Sequence, residues 1–293
     1  MKSANKFIIG VLIVLVSVTI VYVNKEKIIG EFSVKRGVPT VDTTVDTKND
    51  MPSIEGLAAL TLDVDDNKIV YEKNIYDRMY PASTTKLLTA QVFADNKNKN
   101  SQIVYTRDAK SQPADKVDLN VGETLTGDEA MNSLLIYSAN DIAVAIGENV
   151  SDNIPDFAQK MNKKASSLGD KQSNFENANG LPNEEHYTTA YDLCLIAKNA
   201  YKYQWIMDVL SKKKYVLKAE RGDIHLVNTN KLLGVNGCFA GKTGYTFKAG
   251  KCLVAYYERN NKRMIGIVLH SVNNLSVDND MEKIIDWSYG KIN

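Results

Sequence analysis

The chain has 293 residues, 44% of them hydrophobic, enough to bury a substantial core in one or two domains. Its 36 Lys and Arg against 35 Asp and Glu leave a formal charge of +1. Counterion release from a polyanion would yield little at that charge, which argues against nucleic acid as a partner. Three histidines and three cysteines (Cys194, Cys238 and Cys252) lack metal-ligand spacing, so no metal or other cofactor is expected.

In chain order, the first element is the uncharged run Phe7–Val23, "FIIGVLIVLVSVTIVYV". It is near the shortest helix that crosses about 30 Å of hydrocarbon. It runs into bulky "VYVNKEK" rather than a small-x-small cleavage site, which favours an uncleaved signal anchor over a cleaved peptide. Lys2 and Lys6 precede it and Lys25 and Lys27 follow, so flanking charge does not fix its orientation. Residues 24–53 are polar and weakly periodic and read as a linker, with a reach on the order of 30 Å as a flexible coil. Residues 54–293 form the folded domain.

That domain opens with a hairpin, two apolar β-branched runs around Asp65-Asp66-Asn67. From Pro81 the pattern turns helical, with Leu87, Leu88, Ala90 and Phe93 on or near one face. Residues 127–150 read as buried helix interrupted at Ser138, and residues 186–206 as an amphipathic helix opened by a Thr cap. "KCLVAYYERNNKRMIGIVLHS" is a hairpin around Asn260-Asn261, and a helix from about Asp278 to Tyr289 closes the chain. Strands at both ends with helices between predict an α+β fold: an antiparallel sheet built from both termini, flanked by helices, with an inserted helical subdomain. A Cys238–Cys252 bridge would leave one thiol over, so buried free thiols are the simpler reading of the cysteines.

Three short motifs can carry chemistry. In "YPASTTKLLTA", Ser83 and Lys86 are three apart at a helix start, so the amine can reach the hydroxyl beside the positive end of the helix. Alone this pattern is weak, since it recurs at Ser3–Lys6 and Ser211–Lys214. In "YSAN", Ser138 and Asn140 interrupt two apolar stretches, where polar groups need partners; a plain helix-to-helix turn explains them equally well. In "GKTGYT", Lys242, Thr243 and Gly244 offer a cation, a hydroxyl and close backbone approach on one strand, against the alternative of a solvated edge strand.

Taken in order, Ser-x-x-Lys, Ser-x-Asn and Lys-Thr-Gly resemble the active-site set of penicillin-binding proteins and serine β-lactamases. The likeness extends to "AALTLDVDDNKIVYEKNIYDRMYPASTTKLLTA", "LLIYSANDIAVAI", "FENANGLPNEEHYTTAYDLCLIA", "NTNKLL" and "GKTGYTFKAGKCLVA". These segments are similar to the D-alanyl-D-alanine carboxypeptidases, the low-molecular-mass penicillin-binding proteins, and cover residues 54–293.

The resemblance implies a β-lactamase/transpeptidase-like fold and an extracytoplasmic serine peptidase of the cell membrane. Its substrate would be a peptidoglycan stem peptide ending in D-Ala-D-Ala, and β-lactams would inhibit it covalently. It implies Ser83 as nucleophile, Lys86 as general base and Ser138 as proton relay. Asn140 would bind the acyl-side amide and hold Lys86, while Lys242 and Thr243, with Gly244 beside them, would meet the terminal carboxylate. The N–H groups of Ser83 and Tyr245 would form the oxyanion hole, and Arg263 matches a family arginine. His186 is expected to open the following helix. Many relatives add a β-rich domain and a C-terminal membrane helix; here the N-terminal anchor is expected to replace that attachment. The competing readings are a D,D-endopeptidase or transpeptidase, a serine β-lactamase using Glu176 to position water, and a membrane-bound sensor without turnover.

Overall fold

The computed structural model describes residues 50–113 and 115–292. The anchor expected at 1–23 and the linker up to residue 49 lie outside the described residues. Asp50–Ser53, the end of that linker, rest on the folded body: the Tyr71 hydroxyl donates to the Pro52 carbonyl (3.0 Å) and Met51 packs on the core.

Five strands make the main sheet: β1 (Ala58–Asp63), β2 (Lys68–Lys73), β7 (Cys238–Thr246), β8 (Gly250–Arg259) and β9 (Lys262–Ser271). Their order is β2-β1-β9-β8-β7, antiparallel throughout, so the two chain ends meet at the β1–β9 pair. Both hairpins fall where the turn residues predicted them. Asn260 and Asn261 adopt φ of 50° and 61°, as a two-residue turn matched to strand twist requires. Asn67 is likewise left-handed, with φ 53°.

The sheet is covered on both faces, which is why its inner strands read as nearly unbroken apolar runs. Leu253, Ala255, Tyr257, Met264 and Val268 cluster with Val277, Met281, Ile284, Ile285 and Tyr289 of the C-terminal helix. That helix spans Asn274–Lys291, longer than the sequence suggested, because Asn273 and Ser276 close a capping box ahead of it. Its buried Asp280 accepts from the Glu55 and Gly56 N–H groups and the Ser271 hydroxyl, tying both chain ends to the sheet. Side chains alternate along a strand, so Leu60, Val254, Tyr256 and Ile267, all fully buried, face the other way.

The remaining helices form the layer beyond that second face. They are α1 (Lys86–Asn96), the single turn α2 (Arg107–Lys110), α3 (Gly127–Asn132), α4 (Asn140–Val150), α5 (Ile154–Ser167), α6 (Ala190–Ala200) and α7 (Gln204–Leu210), so the C-terminal helix is α8. Two small two-stranded sheets accompany them: β3 (Gln102–Val104) with β4 (Thr124–Thr126), and the hairpin β5 (Lys214–Ala219) with β6 (Gly222–Val227). The helix expected over 186–206 is instead α6, capped by Thr189, and then α7. Tyr256 donates to the Ala197 carbonyl (3.0 Å), docking α6 on the sheet.

Helix α1 differs from the one-sided reading, for every residue from Lys86 to Phe93 is buried. Its polar members are satisfied inside the protein: Thr89 donates to the Ala178 carbonyl and Gln91 to the Ile196 carbonyl. A helix buried all round sits at the centre of its layer, and α1 carries the first motif into that centre. The expected α+β architecture is what the structure has. Cys194, Cys238 and Cys252 are buried free thiols.

Candidate active site

The Ser83 turn is a tightly constrained piece of backbone. A 3₁₀ turn, Ala82–Thr85, precedes α1, and the Thr84 hydroxyl donates to the Pro81 carbonyl (2.7 Å). Ala82, just before Ser83, is left-handed with φ 48°, a conformation costing a non-glycine residue about 1–3 kcal/mol. One helical turn on, Lys86 Nζ reaches back to within 2.8 Å of Ser83 Oγ. It also donates to Asn140 Oδ1 (2.8 Å) and to the Asn179 carbonyl (2.7 Å).

Ser138 arrives by an interruption that the sequence locates correctly. Helix α3 passes into a π turn, Ser133–Tyr137, and Ser138 then adopts φ 69° and ψ 28° before α4 begins. The break is held by the Ala139 N–H donating to the Ser133 carbonyl and the Asn140 N–H to the Asp115 carbonyl (2.7 Å). It presents Ser138 and Asn140 side by side. Lys242, opposite on β7, donates to Ser138 Oγ (2.8 Å) and to the Thr243 carbonyl (2.9 Å).

Strand β7 is an edge strand, so one of its edges is free to face the Ser83 turn. The approach is close: a Cβ at Gly244 would lie 2.9 Å from Ser83 N and 3.0 Å from the Pro81 carbonyl oxygen. Only glycine fits there without displacing backbone. Thr243 and Thr229 share a 2.6 Å hydroxyl–hydroxyl hydrogen bond. A cleft of about 340 Å³ runs past Ser83, Ser138, Thr229, Thr243, Gly244 and Tyr245.

Two lysine amines with no exposed surface dominate the electrostatics. Burial, and then the Lys242 cation, pull Lys86 well below the usual lysine range; Asp115 and Asp141 oppose this. Burial lowers Lys242 to about 7, again opposed by Asp115.

Arg263 does not belong to this group. At the far, hairpin end of the sheet it pairs with Glu258 across the strands and donates from Nε to Asp65 Oδ1 (3.0 Å). Its place in the sheet, eight positions along β9 from Ser271 at the cleft end, sets it apart from the expected contact. Glu176 is exposed and accepts from Asn174 Nδ2 (2.7 Å), and it does not line the cleft. His186 does not open a helix. It lies in the loop before α6, buried behind the Ser83 turn, against Thr85 Oγ1 (2.9 Å). Among the described residues, no group of three or more His, Cys, Asp or Glu side chains is placed to hold a metal ion.

Several participants escaped the sequence reading. The Asn179 acceptor is a main-chain carbonyl, which leaves no side-chain signature. Lys231 and Lys251 add two cations to the end of the cleft, Lys251 lying 3.7 Å over the Tyr245 ring. Thr229 and Lys231 sit in "NTNKLL" and Asn179 in "FENANG", segments that carried the likeness without an assigned task.

Residues 44–273 match the family described as D-alanyl-D-alanine carboxypeptidase, peptidase S11. The D-alanyl-D-alanine carboxypeptidase DacF of Bacillus subtilis (strain 168) is 34% identical over 247 residues, 81% of this chain and 63% of the relative. The D-alanyl-D-alanine carboxypeptidase of Streptomyces sp. (strain K15) is 28% identical over 269 residues, 85% and 92% of the two chains. The crystal structure of the Streptomyces K15 DD-transpeptidase superposes with a TM-score of 0.78 at 27% identity, covering 82% of this chain and 99% of that one. A D-alanyl-D-alanine carboxypeptidase from Mycobacterium tuberculosis shares the fold, with a TM-score of 0.79 at 23% identity. The chain spans less than two thirds of the length of DacF and of a DacA carboxypeptidase of Haemophilus influenzae, 63% of each. With the family pattern covering most of its residues, the chain belongs to the D-alanyl-D-alanine carboxypeptidase family.

Proposed function

We propose that the protein is a serine D-alanyl-D-alanine carboxypeptidase that removes the terminal D-Ala of a peptidoglycan stem peptide through an acyl-enzyme on Ser83. The observation that carries this reading is the environment of Lys86. A neutral amine has two N–H donors and one lone pair. Asn140 Oδ1 and the Asn179 carbonyl take the two donors at 2.8 and 2.7 Å, which leaves the lone pair for the third neighbour, the Ser83 hydroxyl. Burial and the Lys242 charge both favour the neutral state.

In this mechanism the Ser83 proton passes to Lys86 as Oγ attacks the carbonyl of the penultimate D-Ala. The oxyanion is met by the N–H groups of Ser83 and Tyr245, of which one donor is typically worth about 2.7–4 kcal/mol. Ser138, hydrogen-bonded to Lys242, relays a proton to the departing amine as the C–N bond breaks. Water then cleaves the ester and restores the hydroxyl. Asn140 holds the acyl-side amide, and Lys242 and Thr243 take the terminal carboxylate. Lys231 and Lys251 line the same cleft together with Asp115 and Asp278. Glu176, the residue a β-lactamase reading would use to position water, does not line the cleft. Phe7–Val23 would anchor the domain outside the cytoplasmic membrane, where its substrate lies.

The test is to incubate the full chain with a peptide ending in D-Ala-D-Ala, and separately with penicillin, following products and intact mass. Released D-Ala together with a persistent adduct on Ser83 is the expected outcome. Rapid penicillin turnover without peptide cleavage would replace the reading with a β-lactamase, and an adduct without any turnover with a sensor. Ser83→Ala should abolish both reactions.

A further inference from the structure

The loop from Asn174 to Gly180 supplies the Asn179 carbonyl, yet it belongs to a different part of the layer from the Ser83 turn. A Cβ at Gly180 would lie 1.9 Å from the Ala82 carbonyl oxygen and 2.9 Å from Thr85 Oγ1, so loop and turn are in direct backbone contact. Between them sits His186, 1% exposed, with the Phe175 ring edge-on at 5.5 Å. Its Nδ1 accepts from the Glu176 N–H (3.1 Å), and its Nε2 is 2.9 Å from Thr85 Oγ1.

These contacts fix the protonation state of the ring. A main-chain N–H can only donate, so Nδ1 carries no proton; in a neutral imidazole the proton is then on Nε2, which donates to Thr85. One ring therefore joins a main-chain donor of the loop to a side chain inside Ser-x-x-Lys. We propose that His186 is a positioning residue for the Ser83 reaction: as a neutral clip it holds the Asn179 carbonyl against Lys86, so that the lone pair of the amine stays directed at the serine.

Burial alone depresses His186, to about 4, consistent with a ring that stays neutral in the working range. The Glu176 carboxylate accepts from Asn174 Nδ2. The charged groups that act on Lys86 are Lys242 from β7, Asp115 from the loop before α3, and Asp141 from α4. If the clip is removed, the loop relaxes, water reaches Lys86 and its pKa rises, because the desolvation that lowers it is relieved. A group acting only on overall stability would leave that pKa where it is.

The proposal rests on Ser83 being acylated with Lys86 as base, and the experiment separates the two ideas. Acylation of the full chain by penicillin is followed against pH for the wild type, His186→Ala and His186→Asn. The Asn variant retains an acceptor for the Glu176 N–H. In His186→Ala the acid limb of the rate should move up by about one unit, slowing acylation about tenfold below that limb. His186→Asn should recover most of the shift. An unchanged limb in His186→Ala, with the rate scaled equally at every pH, would overturn the proposal. Nitrogen NMR of the wild-type ring stands independently of the variants: an unprotonated Nδ1 and protonated Nε2 are expected, and a protonated Nδ1 would contradict the clip even if both variants fail to fold. Absence of any wild-type adduct would instead refute the functional reading, whatever the ring shows.

Discussion

Lys86 Nζ lies 2.8 Å from Ser83 Oγ inside a layer where the lysine has no exposed surface. An ammonium ion in that position would be costly unless paired with a carboxylate. Its close partners are instead a hydroxyl, an amide oxygen and a peptide carbonyl. The site is therefore built for an amine that is neutral part of the time, and the following expectations depend on that.

Lys242 acts on Lys86 through charge as well as on the substrate. Replacing it with methionine, of similar length, removes the nearby cation that lowers Lys86. Lys86 should then keep its proton to higher pH. The acid limb of Ser83 acylation by penicillin should shift upward in Lys242→Met, and KM for the D-Ala-D-Ala peptide should rise. Stopped acylation assays across pH measure the first, and D-Ala release at varied peptide concentration measures the second.

Arg263→Ala should leave kcat/KM within about twofold of the wild type, because the arginine pairs with Asp65 at the opposite end of the sheet. Exposed pairs of this kind contribute about 0–1 kcal/mol, so a small fall in denaturant midpoint is the only expected effect. A large loss of activity would mean that the end of β9 communicates with the cleft.

Gly180 has φ 83° and no room for a side chain. Gly180→Ala should destabilise the fold by about 2 kcal/mol or more. It should also slow acylation disproportionately, since the displaced loop carries the Asn179 carbonyl. Urea unfolding and the adduct rate, measured on the same sample, separate the two effects.

Asp170 is raised to about 6, first by burial and then by the neighbouring Asp192. A carboxyl whose pKa is higher folded than unfolded favours the protonated folded state. Its stabilising contribution is thus present below about pH 4 and lost as pH rises through about 6. Asp170→Asn should flatten the stability profile between those values and gain about 1–2 kcal/mol at neutral pH, allowing for partial solvent screening. Unfolding curves at pH 4, 6 and 7 test the sign.

Much of this site was readable from residue types and order. Ser83, Lys86, Ser138, Asn140, Lys242, Thr243, Gly244 and Tyr245 all gather at one cleft or its wall. Hairpin turns at Asn67 and Asn260-Asn261 were legible because left-handed positions select such residues. Arg263 misled because a strand residue's distance from a site depends on sheet register, which a linear match does not contain. Helix α1 misled because a helix buried on every side weakens the periodicity that a one-sided helix shows. The Asn179 carbonyl was hidden for a third reason: it is a main-chain acceptor, which every residue possesses, and one of the two partners of the His186 ring, the Glu176 N–H, is likewise main chain.

The most direct test of a neutral Lys86 is the pH dependence of Ser83 acylation by penicillin, followed by intact mass in the wild-type chain. The rate should rise as Lys86 loses its proton well below the ordinary lysine range, while Lys242, lowered to about 7, contributes its charge below that value. A rate that climbs tenfold per unit up to the ordinary lysine range, about 10.4, would show that Lys86 is a normal ammonium ion and contradict the account.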